Sequence, residues 1–386
     1  MSPVSKLFKV KDEYIYFDSA SSSQEYAKNN PGAVIVRNLD AIEDDWTIVS
    51  QEPKKEPRLD KSPQMILEYL NEHIISQDEA KRDIALAMYY HSLKAKYPTN
   101  CEIGTNGPVM IVGPTGSGKT FIVQKACEYI DTVFLHVDTA SMVPVGIKGY
   151  STTNIISDIF SKANYDIKKA SHCVVFLDEI DKLFHTDDAS KYGPKVATQL
   201  LRIIEGSKFS LPEDVTKIVG DNGIEEFDTS NIQFVLGGAF QWLLDEKKDK
   251  KSMGFNSQDN LRNTAEITLE DLYREDIPKE LLGRMSSIIN LKSLSQEDYF
   301  DILTKSLSSP LKEFVKKIEF HGDKVDINDE TLHYVSKKAA QSELGVRSMK
   351  QTLKSIFNDA LFATSSADYQ THIIRCEGNL PSVNLK

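Results

Sequence analysis

The chain has 386 residues, with 57 acidic against 46 basic side chains and a formal net charge of −11. An acidic chain repels phosphodiester backbones, so general nucleic-acid binding is disfavoured unless a local basic patch supplies it. A hydrophobic content of 40% is enough for two or three domains with cores, yet no apolar stretch approaches the roughly 20 residues of a membrane helix.

Charges at Lys6, Lys9, Lys11, Asp12 and Glu13 interrupt the N-terminus before a signal-peptide core can form. A soluble protein with the cytoplasm as default compartment and no membrane partner is expected. Cys101, Cys127, Cys173 and Cys376 contain no Cys-x-x-Cys pair, so reduced and mostly buried thiols are expected rather than a zinc knuckle or a disulfide framework.

Residues 1–60 read as an N-terminal accessory segment and linker, either a small module or a partly disordered stretch. Phe8, Val10 and Tyr14 to Phe17 suggest one or two short strands, Asn29-Asn30-Pro31-Gly32 a turn, and Ala33 to Val36 another strand. Gln51 to Pro57 is charged and proline-broken, as linkers are.

From Pro63 the pattern changes. Ile66, Leu67, Tyr69 and Leu70 recur at helical spacing, as do Ile84, Ala87 and Met88. Apolar runs then follow at Val109–Val112, Val133–Val137, Cys173–Leu177, Ile232–Leu236 and Ile288–Leu291, with a helix over Thr120–Ile130. Continuous apolar runs are the mark of buried parallel strands, so residues 61–293 predict an α/β domain with helices on both sheet faces.

After Leu294 the chain reads as mainly helical, a separate smaller domain over 294–386. Ser295 with Asp298 resembles a helix start. Met349, Leu353, Ile356, Phe357, Ala360 and Leu361 mark an amphipathic helix, and His372–Cys376 a final strand.

Gly113-Pro114-Thr115-Gly116-Ser117-Gly118-Lys119-Thr120 fits G-x-x-x-x-G-K-[ST] in full, between an apolar strand and a helix. The glycines let backbone N–H groups wrap phosphates, and the helix N-terminus adds partial positive charge there. Lys119 is then the residue that reaches the β- and γ-phosphates, and Thr120 the one that holds Mg²⁺.

Val174-Val175-Phe176-Leu177-Asp178-Glu179 is an apolar strand ending in two carboxylates, which are costly there unless used or solvated. Asp178 is placed to bind Mg²⁺, Glu179 to polarise the attacking water as general base, and Asp181 to shape the loop. A solvated acidic turn is the alternative. The two elements make an NTPase; a small-molecule kinase or a helicase would share the first.

The combination resembles the AAA+ ATPases of the ClpX type over about Ile66 to Gly378. Ile74-Ile75-Ser76-Gln77-Asp78-Glu79-Ala80-Lys81 is similar to the family's adenine-contacting segment, with Ile74 and Ile75 flanking the base. Leu177 to Lys182 is similar to its Walker B strand. Leu200 to Gly206 and Gly237-Gly238-Ala239-Phe240 are similar to further signatures.

The resemblance implies that Arg284, in Ile277 to Arg284, is an arginine finger reaching a neighbouring subunit's γ-phosphate; a surface arginine is the plain alternative. It also implies that Arg347, in Gly345-Val346-Arg347, is a sensor touching the nucleotide from the small domain. A cation is disfavoured at a helix start, and an anionic ligand resolves that conflict. An ordinary salt bridge would do the same.

The implied activity is ATP hydrolysis in a hexameric ring that unfolds or remodels protein substrates, with ATP and Mg²⁺ bound. The chain departs from the family in its pore segment, Gly146-Ile147-Lys148-Gly149, where an isoleucine replaces an aromatic residue and Tyr150 lies just outside. The family's zinc-binding N-terminal domain and basic substrate loop have no counterpart here. Met253-Gly254-Phe255 resembles the loop that docks on a ClpP-like peptidase, with a loop tucked onto its own domain as the alternative. Two other readings use the same fold: an ATP-driven nucleic-acid motor or loader, and an ATP-gated assembly switch.

Overall fold

The computed structural model describes residues 16–17, 33–37, 46–50, 61–97, 107–184, 193–219, 225–252, 266–275, 277–363, 371–377 and 380–385. The chain divides into two compact units, Met1–Asp60 and Lys61–Lys386. In the first, strands β1 (Tyr16–Phe17), β2 (Ala33–Arg37) and β3 (Trp46–Ser50) form an antiparallel sheet of order β1-β3-β2. Strand β3 has no counterpart in the sequence reading. The expected linker Gln51–Pro57 lies outside the described residues.

The second unit is built on a five-stranded parallel sheet of order β10-β4-β9-β6-β5. Its strands are β4 (Val109–Val112), β5 (Phe134–Asp138), β6 (Val174–Asp178), β9 (Gln233–Gly238) and β10 (Ser287–Asn290). A small antiparallel pair, β7 (Lys208–Ser210) and β8 (Glu226–Asp228), lies apart from it.

Residues of each central strand alternate between two cores, as the pleat requires. Val109, Ile111, Val174 and Phe176 join the core built with Ile66, Leu70, Ile84, Met88 and Ile122. Met110, Val112, Val175 and Leu177 join the core built with Ile155, Ile159, Phe160, Val196 and Leu200. Helices Pro63–His73, Asp78–Lys96 and Lys119–Ile130 therefore cover one face, and Thr152–Lys162 and Gly193–Ile204 the other.

Strand β4 lies between β9 and β10, not beside its successor β5, so the connections leaving the neighbours β4 and β9 run in opposite directions across the sheet. Open α/β sheets bind ligands beyond the carboxyl ends of their strands at such a point. Here those ends carry Gly113 after β4, Glu179 after β6 and Ala239 after β9.

The C-terminal block has its own core of Tyr299, Leu303, Phe314, Ile318, Val335, Met349, Leu353 and Phe357. Its helices start where the sequence supplies caps. The hydroxyl of Ser295 accepts from the Asp298 amide while the Asp298 carboxylate accepts from Ser295 N–H, a reciprocal box. Ser309 caps Pro310–Glu319 and Asn328 caps Asp329–Ala340.

The expectation of one final strand is corrected. Strand β12 (Thr371–Glu377) pairs in parallel with β11 (Lys324–Ile327) and antiparallel with β13 (Leu380–Leu385). Strand β11 is a four-residue alternation of polar and apolar residues, and β13 contains Pro381, so neither stands out as an apolar run. Among the described residues, no helix is long and apolar enough to cross a membrane. Cys127 and Cys173 are buried free thiols, and Cys101 lies outside the described residues.

Helix Val346–Ala363 carries the C-terminal core, with Met349, Leu353 and Phe357 fully buried. Leu353→Ala should therefore destabilise the chain by about 2–5 kcal/mol. Urea denaturation followed by circular dichroism measures this; an unchanged midpoint would contradict the packing.

Candidate nucleotide-binding site

The loop after β4 is anchored at its start, where Gly113 N–H donates to Gly238 O at 3.2 Å. Gly116 (φ +79°) and Gly118 (φ +98°) then take left-handed backbone, which other residues adopt only with strain. Nothing lies within 4 Å of where a Cβ on Gly118 would sit, so the loop opens onto free space at that point. Ser117 Oγ is buried without a protein partner, and a phosphate oxygen would satisfy it.

Lys119 Nζ donates to Gly113 O at 2.7 Å and Pro114 O at 3.2 Å, which holds the ammonium at the loop. Burial lowers the Lys119 pKa, and the charges of Asp178 and Asp181 only partly oppose it. An anion bound beside Lys119 would relieve that desolvation.

Asp178 sits at the tip of β6 with both carboxylate oxygens engaged. Thr120 Oγ1 donates to Oδ2 at 3.2 Å, His136 Nε2 lies 3.2 Å from the same oxygen, and the Glu179 amide donates to Oδ1 at 2.9 Å. Burial pushes the Asp178 carboxyl up, but the bonds from His136 and the Glu179 amide, with the Lys119 charge, outweigh it and hold the pKa below the usual carboxylate value. Glu179 has a positive φ of 58°, a conformation with a cost of roughly 1–2 kcal/mol for a residue with a side chain. Its carboxylate pairs with Lys182 Nζ at 2.6 Å, and that bond raises the Lys182 pKa.

Asp181 does more than shape its own turn. It is 6% exposed and accepts from the amides of Ala239 at 3.2 Å and Phe240 at 3.0 Å. Burial raises its pKa against those bonds. Through it the tip of β6 is tied to the tip of β9, as Gly113 ties β4 to β9.

These elements enclose a cavity of about 410 Å³, within the usual range for a small-molecule site. Ile74, Ile75, Leu294, Ile302, Pro310 and Val346 give it an apolar wall, and Lys119, Lys182, Arg347 and Lys350 bring cations to it. The volume, apolar wall and cationic glycine loop fit a nucleoside triphosphate.

The apolar segment is held across the two cores. Leu307 N–H donates to Glu72 O at 2.9 Å, Ser306 Oγ to His73 O at 2.6 Å, and His73 Nδ1 lies 2.6 Å from Ser308 Oγ. Gln77 is bonded in both senses to Lys292, at 2.8 and 2.9 Å. On the opposite side Gly116 meets the turn before the C-terminal helix. A Cβ on Gly345 (φ +51°) would lie 2.8 Å from the Tyr299 hydroxyl and 3.1 Å from Gly116 O.

The structure thus brings together Ile74, Ile75, Thr115 to Thr120, Asp178, Glu179 and Arg347 around one cavity. Gly113 and Pro114 lie beside it as acceptors for Lys119. Arg284 does not line this cavity; its Nε is 3.1 Å from Glu205 Oε1, at an exposed position.

The sequence reading missed Lys350, His73 and His136. Lys350 follows Arg347 by three residues, so both fall on one helix face, and that spacing could have found it. The pore-like segment is also described: Ile147 is 40% and Val145 52% exposed, while the Tyr150 hydroxyl donates to Asp158 at 2.6 Å. Met253-Gly254-Phe255 lies outside the described residues.

Residues 105–288 match the family described as "AAA domain (Cdc48 subfamily)". The chain is 27% identical over 322 residues to "ATP-dependent Clp protease ATP-binding subunit ClpX 2" of Wolinella succinogenes, covering 82% of this chain and 81% of that protein. It is 29% identical over 336 residues to "ATP-dependent Clp protease ATP-binding subunit ClpX" of Treponema denticola, covering 81% and 80%.

The AAA-domain match and the two ClpX-named relatives support a divergent AAA+ ATPase of the ClpX type. A AAA+ ATPase binds and hydrolyses a nucleotide, and the cavity beyond β4, β6 and β9 gathers Lys119, Asp178, Glu179 and Arg347.

Closure of that cavity should depend on the glycine pair. Gly345→Ala would press a methyl group against Tyr299 and Gly116 in a left-handed conformation, at a cost on the order of 1–2 kcal/mol. Titration with a fluorescent ATP analogue should show about 5- to 30-fold weaker binding. Unchanged affinity would show that the contact does not shape the site.

Proposed function

We propose that this chain is an ATP-driven protein unfoldase or remodelling chaperone working as a hexameric ring, with residues 61–293 as ATPase domain and 294–386 as a lid. The observation that carries it is the cavity walled from both sides: the glycine loop and acidic strand tip on one, Arg347 and Lys350 on the other. A triphosphate bound there contacts both lobes, so its hydrolysis can change the angle between them, and that motion does mechanical work in a ring.

In this reading the loop amides, Lys119 and Arg347 bind the phosphates, and Ile74 and Ile75 flank the base. Thr120 and Asp178 hold Mg²⁺, which when bound supplies positive charge to the phosphate oxygens. Glu179 takes the proton of the attacking water.

Arg284 points to action in trans. It lies outside its own cavity and is exposed, held by an ion pair worth at most about 1 kcal/mol. A neighbouring subunit's phosphate can readily displace so weak a partner. Met253-Gly254-Phe255 would offer an apolar tip to a ClpP-like peptidase.

A second reading, an ATP-gated assembly switch, is favoured by the pore segment. Tyr150 is bonded to Asp158 and packs against the core, so the free tip carries only the aliphatic Val145 and Ile147 beside Lys148. Nucleic-acid motor activity finds no support in the acidic net charge.

Glu179→Gln should keep ATP binding while turnover falls about 10²- to 10⁴-fold. Arg284→Ala should also bind ATP, with turnover falling about 10³-fold or more in the ring. Phosphate release and nucleotide titration measure both; normal turnover in either variant would refute the role given to that residue. Ile147→Ser should remove stimulation of the ATPase by an unfolded protein, whereas Tyr150→Phe should not. Stimulation retained in Ile147→Ser would favour the switch.

A further inference from the structure

His136 belongs to none of the motifs, yet it reaches the centre of the site. Strand β5 pairs with β6 so that His136 lies opposite Phe176, two residues before Asp178. The imidazole stacks on the Phe176 ring, with centroids 5.9 Å apart and planes 21° from parallel. That contact and the strand backbone fix where the ring stands. From there Nε2 lies 3.2 Å from Asp178 Oδ2. An ionised carboxylate only accepts, so this bond requires the proton on Nε2.

The Asp178 carboxylate is consequently held by donors from separate elements: His136 from β5 and Thr120 from the P-loop helix on Oδ2, and the Glu179 amide on Oδ1. A threonine hydroxyl can give a lone pair to a cation while its proton still donates to a carboxylate. The Thr120 bond is therefore compatible with metal binding, but it is anchored to a group that the metal itself would pull on. His136 supplies an anchor on the same oxygen that is independent of the metal. Carboxylates that serve a metal are themselves oriented by hydrogen bonds, and loss of such a partner typically costs about 10- to 100-fold in metal affinity.

We infer that His136 is a positioning residue for the divalent cation, orienting the Asp178 carboxylate toward the place where Thr120 helps to hold the ion. This rests on the reading of Asp178 as the metal-holding carboxylate. His136 does not touch the nucleotide in this account, so its effect is confined to the metal dependence of binding.

The test uses the full chain and a fluorescent ATP analogue, with Mg²⁺ titrated at one fixed pH. His136→Ala should raise the Mg²⁺ concentration for half-maximal binding by about tenfold or more. Binding without Mg²⁺ and the melting temperature should hold, because the side chain is half exposed. His136→Gln, whose amide also donates, should recover most of the shift.

Asp178→Ala is measured alongside and should shift the titration at least as far. If Asp178→Ala shifts it and His136→Ala does not, the role of His136 is overturned and the site reading stands. If Asp178→Ala leaves it unmoved, the site reading falls and takes His136 with it. A His136→Gln variant as impaired as His136→Ala would assign the effect to ring packing on Phe176 and overturn the inference.

Discussion

The site depends on one close approach of backbone to backbone. Gly116 at the turn of the phosphate loop meets Leu344 and Gly345, and no side chain fits at either glycine without a shift. Because these two backbone segments meet without side chains between them, the helix that begins at Val346 is brought to the cavity at its first turn. Its first turn then carries Arg347 to the wall, with Lys350 one turn further. A helix N-terminus disfavours cations, so nearby negative charge favours this placement. Asp178, Glu179 and Asp181 supply some of it, and a triphosphate would supply more.

The rest of the cavity follows from strand order. With β4 between β9 and β10, the glycine loop, the acidic tip and the Gly237-Gly238 strand end fall side by side. Two short ties then lock them: the Gly113 amide to Gly238 O, and the Asp181 carboxylate to the amides of Ala239 and Phe240. These ties explain why a buried carboxylate is retained at Asp181 although burial opposes its charge. On the far wall, hydrogen bonds from the Ser306–Ser308 turn to Glu72 and His73 hold the apolar segment to the C-terminal block. The cavity is thus bounded by two contacts between cores, one beside the phosphate loop and one beside the aliphatic wall.

Much of this was legible in the sequence where the chemistry restricts residue type. Gly116, Gly118, Lys119 and Thr120 form a pattern that few other structures need. Asp178 and Glu179 stand out because charges are expensive at the end of an apolar run. Strand limits were read a residue early for β5 and β6, since apolar content does not register Asp138 and Asp178 as strand ends. The parts that were not legible depend on register across the sheet. His136 becomes meaningful only when β5 pairs with β6, and the reach of Asp181 only when β9 lies beside them. Strands β11 and β13 escaped because one is a four-residue alternation and the other holds a proline. Spacing alone does not decide whether Tyr150 faces a substrate; the structure bonds its hydroxyl to Asp158.

The central claim is that a nucleotide in this cavity sets the position of the C-terminal block. The most direct measurement is a spin-label distance distribution between Lys125 on the P-loop helix and Lys317 on helix Pro310–Glu319, taken without nucleotide, with ATP and with ADP. The account predicts a distance that changes between these states and that ceases to respond when Arg347 is replaced by alanine. One distribution common to all three states in the unsubstituted chain, under conditions where ATP is bound, would contradict it.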